Sequence, residues 1–82
     1  MPAARRLTLV SRQDCGLCEE LHAELEALRA QHELPPLELV DVDSDAVLRR
    51  RWGLKVPVLL LDGARVCEGR LDAAELLRLL RL

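Results

Sequence analysis

Aromatic residues are almost absent from this sequence: it has no phenylalanine and no tyrosine, and Trp52 is its one aromatic residue. Sites that bind ligands by stacking them on several aromatic rings are therefore excluded, including the stacking platforms of single-strand nucleic-acid binders. No strong excess of one charge is present either, because 12 basic and 14 acidic residues give a formal net charge of −2. The basic residues are spread along the chain, so we expect no nucleic-acid partner.

Long apolar runs are also missing. No segment approaches the roughly 20 apolar residues of a membrane span, and the start, Met1 to Arg6, lacks the apolar core of a signal peptide. The sequence therefore predicts a cytoplasmic protein without a membrane partner. Half of the 82 residues are hydrophobic, and a chain of this size buries about 60% of its unfolded surface. We expect a single domain over residues 1–82 that is monomeric.

Cysteine is scarce too, and three cysteines in a cytoplasmic chain favour redox or metal chemistry over a structural disulfide framework. Two of them, Cys15 and Cys18, stand between an apolar strand-like run and a helix-like stretch. A helix N-terminus stabilises an anion by roughly 0.3–1 kcal/mol, and the thiolate is the form that attacks disulfides. Arg12 favours the Cys15 thiolate and Asp14 opposes it, and we predict a net, modest lowering of the Cys15 pKa.

The apolar pattern before and after the cysteine pair predicts a strand followed by a helix. The run from Leu7 to Val10 fits a buried strand. Leucines at helical spacing then predict a helix that extends to about His32, with one stripe formed by Leu17, Leu21, Leu25 and Leu28.

Prolines 35 and 36 end this helix, and the alternation from Leu37 to Val42 predicts a second strand. Asp43 or Ser44 is the expected cap of a short helix through Trp52, with Gly53 as its stop. The basic residues 49–51 fall in its last turn, where positive charge complements the helix dipole.

The last part of the chain predicts a hairpin and a helix. Residues 56–61 form an apolar run typical of a central strand, and Asp62-Gly63 predicts a tight turn into an antiparallel strand over residues 64–67. Asp72 is the expected cap of a final helix, whose Leu76, Leu77 and Leu80 face inward while Leu79 and Leu82 lie outside the stripe. The predicted order is βαβαββα, an α/β domain with a four-stranded mixed sheet and helices on both faces.

With the cysteine pair after the first strand and Val56-Pro57 before the third, the chain resembles the thioredoxin superfamily, and within it small bacterial glutaredoxin-like proteins. Ser11-Arg12, the Asp62-Gly63 turn and the segment Gly69 to Asp72 add to the resemblance. It implies a cis Pro57 beside Cys15 and a Val56 backbone that pairs with substrate. Arg12, Gly69 and Asp72 occupy positions that help to hold glutathione in glutaredoxins.

The function that this resemblance implies is thiol-disulfide oxidoreduction in cellular redox homeostasis. Cys15 is the nucleophile that attacks a disulfide, and Cys18 is the resolving thiol that releases the product. The expected substrate is a disulfide-containing protein or small molecule. No cofactor is expected to be tightly bound, with glutathione as a candidate reductant. The buried acidic residue that thioredoxins place on the first strand has no counterpart expected here, since Leu9 stands near that point.

Two alternatives remain open from the residues alone. Cys15, Cys18 and His22 have a spacing that suits a metal or iron-sulfur site, with Cys67 as a fourth ligand. The second alternative is a binding module of the same fold whose thiols are catalytically idle. We interpret Cys67 as a small buried apolar side chain on an outer strand.

Overall fold

Strands and helices alternate along the chain in the computed structural model, which describes residues 5–82. Residues 1–4 lie outside the described residues. They make up most of the segment from Met1 to Arg6, which lacks the apolar core of a signal peptide. The elements are β1 (Leu7–Ser11), α1 (Gly16–Arg29), β2 (Leu37–Asp41), a 3₁₀ turn (Val42–Ser44), α2 (Ala46–Trp52), β3 (Val58–Leu61), β4 (Ala64–Glu68) and α3 (Ala73–Leu80). The predicted βαβαββα order is confirmed.

The four strands form one mixed sheet in the order β2-β1-β3-β4. Strand β1 runs parallel to β2 and antiparallel to β3, and β3 pairs antiparallel with β4. Val10 is opposite Val40 on one side and Val58 on the other. The carboxyl ends of β1, β2 and β4 and the start of β3 consequently lie at one edge of the sheet.

Helices cover both faces of this sheet, as predicted. Successive side chains of β1 point to opposite faces, so Leu9 and Val10 belong to two different apolar clusters. The larger cluster joins the sheet to α1 and α3 and includes Leu7, Leu9, Leu21, Leu25, Leu59 and Leu76. The smaller cluster packs the other face against α2 and consists of Val10, Val42, Trp52 and Val58.

Helix α1 corrects one detail of the leucine stripe. Leu21 and Leu25 are buried and Leu28 packs against the same cluster, but Leu17 is 44% exposed. Cys18 is buried in its place. The helix ends at Arg29, three residues before His32. The Gln31 and His32 amides both donate to the Leu28 carbonyl, which closes a turn, and the Arg29 side chain donates to the Leu34 and Pro35 carbonyls of the following loop.

The cap of α2 differs from the prediction. Strand β2 ends at Asp41, whose carboxylate accepts from the Asp43 amide and begins the 3₁₀ turn. Asp45 rather than Asp43 or Ser44 then caps α2, accepting from the Val47 amide at 2.8 Å. Asp43 is engaged elsewhere, in an ion pair that belongs to the site described below.

The β3–β4 hairpin confirms the predicted turn. Asp62 and Gly63 both have positive φ, 51° and 86°, as a type I′ turn requires. Strand β3 begins at Val58 instead of residue 56, because Pro57 has no amide hydrogen to donate to the sheet. At the C-terminal end Leu79 packs partly against the larger cluster, contrary to the prediction, whereas Leu82 is 57% exposed.

Within residues 5–82, no helix is both long enough and apolar enough to cross a membrane.

Candidate active site

Loops from three parts of the chain meet at the sheet edge where β1 ends. Cys15 follows β1, Pro57 directly precedes β3, and Gly69 directly follows β4. Because Val58 pairs with both Val10 and Glu68, the sheet register places these loops side by side. The predicted catalytic and substrate-binding segments are therefore brought to one edge of the molecule.

The cysteine pair occupies the first turn of α1. Cys15 is the N-cap residue, and its sulfur accepts a hydrogen bond from the Cys18 amide at 3.2 Å. The Cys15 and Cys18 sulfurs are bonded as a disulfide, with Cα atoms 5.2 Å apart. A sulfur at this position lies at the N-terminus of the helix, where amide hydrogens that have no partner within the helix stabilise a negative sulfur more than a neutral one.

The two thiols differ in exposure. Cys18 is 4% exposed, whereas Cys15 is half-buried and flanked by the exposed Gly16 and Leu17. An incoming disulfide can therefore reach the Cys15 sulfur, while Cys18 is reached from Cys15. This asymmetry is what a nucleophile and a resolving thiol require.

Arg12 connects two loops of the site instead of extending into solvent. Its guanidinium binds the Asp43 carboxylate through two hydrogen bonds, from Nε at 2.8 Å and from Nη2 at 3.1 Å. Its Nη1 donates to the Gly53 carbonyl at 2.9 Å. Arg12 therefore fastens the loop that leads to Pro57 against the loop that leads to Cys15.

The Arg12–Asp43 ion pair also reduces the net positive charge that Arg12 contributes near Cys15. Hydrogen bonding to Arg12 lowers the pKa of Asp43, and the same hydrogen bonds raise the pKa of Arg12. Because the Asp43 carboxylate offsets the guanidinium charge, Arg12 stabilises a Cys15 thiolate less than its sequence position suggests.

We expect the Asp43→Asn variant to be destabilised at neutral pH and matched to the wild type in acid. The folded pKa of Asp43 lies below its unfolded value near 3.9. Its contribution is therefore complete above about pH 5, declines as pH falls past the unfolded pKa, and is lost as pH falls through the folded pKa. Urea unfolding midpoints across this window measure the difference. The control is Glu24→Gln, which removes an exposed carboxylate from α1, and its urea midpoint should not move toward that of the wild type in acid. A difference in midpoint between Asp43→Asn and the wild type that stays the same at every pH contradicts the prediction.

The Val56–Pro57 peptide bond is cis, and Pro57 is buried. The Pro57 carbonyl accepts a hydrogen bond from the Gly69 amide at 2.8 Å. Gly69 has a φ of +79°, a conformation that side chains with a Cβ rarely adopt. The predicted residues Val56, Pro57 and Gly69 are therefore adjacent.

Asp72 serves as a helix cap, as the sequence predicts. Its carboxylate accepts from the Glu75 amide at 3.0 Å at the start of α3. Cys67 is 7% exposed within the larger apolar cluster, and burial raises the pKa of its thiol. This confirms Cys67 as a small core residue.

The four predicted metal ligands do not come together as one set, because only Cys15 and Cys18 are bonded to each other. Among residues 5–82 there is no group of three or more histidine, cysteine or carboxylate side chains placed to hold a metal ion. Cys67 lies in the core, and His22 is 3.7 Å from Glu26 on the surface of α1. The geometry therefore offers no support for the metal or iron-sulfur alternative.

Sequence reasoning missed two features of the site. The first is the contact of Arg12 with Asp43 and Gly53, for which no local motif exists because the partners are 31 and 41 residues away. The second is Leu54, which is fully exposed beside Gly53. A lone leucine after a helix stop carries no signal that separates it from a core residue.

Comparison with protein families matches residues 6–81 to a model described as Glutaredoxin-like domain (DUF836). Comparison with curated protein sequences gives no match.

Several solved structures share the fold over most of the chain. Protein Ne2328 from Nitrosomonas europaea, determined by solution NMR, is 30% identical, with a TM-score of 0.76 over 90% of this chain and 88% of its own. Protein XcR50 from X. campestris is 36% identical, with a TM-score of 0.66 over 92% and 95% of the two chains. A mutant thioredoxin from Halobacterium salinarum is 29% identical, with a TM-score of 0.54 over 88% and 69%.

Proposed function

Because this chain belongs to the glutaredoxin-like (DUF836) family, we propose that it is a thiol-disulfide oxidoreductase with Cys15 as nucleophile and Cys18 as resolving thiol. The observation that carries the proposal is the bonded Cys15–Cys18 pair at the start of α1, with one thiol accessible and the other buried. A catalytically idle module has no need for this difference in exposure.

The proposed cycle begins with both cysteines reduced. The Cys15 thiolate attacks one sulfur of a substrate disulfide, forms a mixed disulfide and expels the first substrate thiolate, which takes up a proton. Cys18 then loses its proton and attacks the Cys15 sulfur. This step releases the second substrate thiolate and leaves the Cys15–Cys18 disulfide, so two electrons pass from the protein to the substrate.

Two groups support Cys15 as the thiol that ionises first. The Cys18 amide already points at the Cys15 sulfur, and the N-terminal dipole of α1 favours negative charge at the same atom. No charged side chain among residues 5–82 is buried, and Leu9 occupies the core side of β1. In the proposed cycle, water or the departing substrate thiolate therefore removes the Cys18 proton.

Returning the pair to its reduced state needs two electrons from outside the protein. Either a dithiol protein or two molecules of a monothiol such as glutathione supplies them, and no tightly bound cofactor takes part. A cell compartment that maintains such a thiol pool, the cytoplasm, is the location we propose. We propose that the protein acts there as a monomer on disulfide-containing proteins or small molecules.

We propose that Val56, Pro57 and Gly69 line the substrate surface beside Cys15. The Gly69–Pro57 hydrogen bond holds these backbones together. Arg12 acts by fixing the loop before Val56, since three of its donors are already used. Asp72 supports the Gly69 loop by beginning α3, although it also occupies a position that holds glutathione in related proteins.

The pH dependence of alkylation tests the proposed roles. Reduced protein is pulsed with iodoacetamide between pH 4 and 10, and each modified cysteine is assigned by mass spectrometry. We expect Cys15 to react first, with a midpoint below the pH of about 8.5 at which a free cysteine titrates. Cys18 and Cys67 should both react slowly because both are buried, and burial also raises the pKa of the Cys67 thiol.

Urea-unfolded protein is the control, in which all three cysteines should react at similar rates. A Cys15 midpoint equal to that of a free cysteine, or faster alkylation of Cys67 than of Cys15 in the folded protein, contradicts the assignment of Cys15 as nucleophile.

A further inference from the structure

Two positive side chains share the one aromatic ring of the chain. The Arg51 guanidinium carbon is 4.8 Å from the centroid of Trp52, and the Lys55 nitrogen is 5.9 Å from it. Trp52 is itself 8% exposed in the smaller cluster, and the Lys55 amide donates to the Trp52 carbonyl at 2.8 Å. The ring therefore anchors two cations at a defined place on the surface, each held by a cation–π contact.

These cations have no compensating partner in the described part of the chain. Among residues 5–82, every ion pair within 4.0 Å involves other residues, and none includes Arg51 or Lys55. Arg12 on the neighbouring loop is different, because Asp43 offsets its charge. Two uncompensated like charges on one ring produce a local positive potential that attracts an anionic partner.

This positive surface lies beside the proposed substrate backbone. Lys55 directly precedes Val56, and Leu54, which directly precedes Lys55, is fully exposed. The Arg12–Gly53 hydrogen bond fixes this segment to the loop that carries Cys15. Leu17, between the two cysteines, adds a second exposed apolar side chain.

Acidic side chains are exposed directly before and after the cysteine pair in the chain. Asp14 precedes Cys15, and Glu19 and Glu20 follow Cys18 on α1. A bound acidic segment is therefore attracted toward Lys55 and repelled from α1, which gives it one preferred orientation.

Building on the proposed oxidoreductase function, we propose that Arg51, Leu54 and Lys55 form a recognition surface for protein substrates whose reactive cysteine is flanked by acidic side chains. Leu54 and Leu17 supply apolar contact area, and Arg51 and Lys55 supply charge complementarity. The substrate strand then lies along Val56 with its acidic residues toward the cations.

Charge-matched peptides test this recognition. Each substrate is a symmetric disulfide dimer of a single-cysteine peptide, with the cysteine flanked by glutamate, glutamine or lysine. Reduced protein is mixed with excess dimer, and released peptide monomer is measured after acid quenching. At low ionic strength we expect the wild type to reduce the glutamate peptide about tenfold faster than the glutamine peptide, with the difference disappearing at about 1 M salt.

Substitutions at Lys55 provide the matched comparison. We expect Lys55→Glu to slow reduction of the glutamate peptide about tenfold more than it slows reduction of the glutamine peptide, and Lys55→Gln to give a smaller difference between the two peptides. Arg65→Glu, an exposed residue on β4, changes the net charge by the same amount and should leave all three rates unchanged. Equal slowing by Lys55→Glu and Arg65→Glu shows an effect of net charge alone and overturns the proposal.

The remaining outcomes separate this inference from the proposed function. If the wild type reduces all three peptides equally and Cys15→Ser reduces none, the oxidoreductase function stands and the recognition surface is wrong. If Lys55→Glu slows only the reduction of glutathione disulfide, the surface serves a small tripeptide, and the proposed protein substrate is wrong. If the wild type reduces no disulfide of any kind, both proposals fail.

Discussion

Replacing Cys15 with serine should lower the rate of disulfide reduction by about a thousandfold or more, because a serine hydroxyl is not ionised near neutral pH and forms no mixed disulfide. Cys15 is the accessible residue of the pair, and its sulfur accepts a hydrogen bond from the Cys18 amide. Cys18 is 4% exposed and does not offer a substitute nucleophile. Single-turnover reduction of a small uncharged alkyl disulfide measures the loss without involving the recognition surface.

Cys67→Ala is the matched control for this experiment. It also removes one of the three thiols, but from the apolar core rather than from the site. We expect its reduction rate to stay within about twofold of the wild type, because a buried thiol with a raised pKa contributes little thiolate. Retention of a tenth or more of the wild-type rate in Cys15→Ser would falsify the nucleophile assignment.

The secondary structure could be predicted because its signals are local. The Asp62-Gly63 turn needs a positive φ at both positions, and few residue pairs adopt that conformation. These two residues alone therefore predict the hairpin. Asp72 begins α3 for a similar local reason, since its carboxylate accepts an amide three residues ahead. The placement of the cysteine pair between β1 and α1 likewise depended only on neighbouring patterns.

The exposure of the cysteine pair could be predicted only in part. The buried stripe of α1 consists of Leu21, Leu25 and Leu28. On an ideal helix Leu17 and Cys18 each lie about 50° from its centre, on opposite sides. Helical periodicity therefore cannot decide which of the two is buried. The way α1 packs on the sheet decides it, and buries Cys18 while Leu17 stays exposed.

The role of Arg12 could not be predicted from its position before the motif. Its partner Asp43 lies beyond the end of β2, and only the parallel pairing of β1 with β2 brings the two chain segments together. The same pairing leaves Asp45 rather than Asp43 to cap α2. An expectation about Cys15 ionisation that counts Arg12 as a free positive charge therefore omits the carboxylate that offsets it.

A second large effect is expected from the resolving thiol. In Cys18→Ser, Cys15 still attacks a protein disulfide, but the mixed disulfide cannot be resolved within the protein. An intramolecular thiol in the right geometry acts at an effective concentration far above that of cellular thiols. We therefore expect steady-state reduction with a dithiol reductant to fall by about a hundredfold or more. A covalent adduct of protein and substrate should accumulate and be visible by non-reducing electrophoresis and intact mass.

The reductant distinguishes the two-thiol cycle from a one-thiol cycle. If glutathione resolves the mixed disulfide in the natural reaction, Cys18→Ser should keep most of its activity when glutathione is supplied in excess. In the two-thiol cycle glutathione restores little, because an intermolecular thiol acts at a concentration far below the effective concentration of Cys18, which is bonded to Cys15 in the folded protein. Cys18→Ala, which introduces no buried hydroxyl, should behave like Cys18→Ser. A difference between these two variants indicates that loss of packing rather than loss of the thiol lowers the rate.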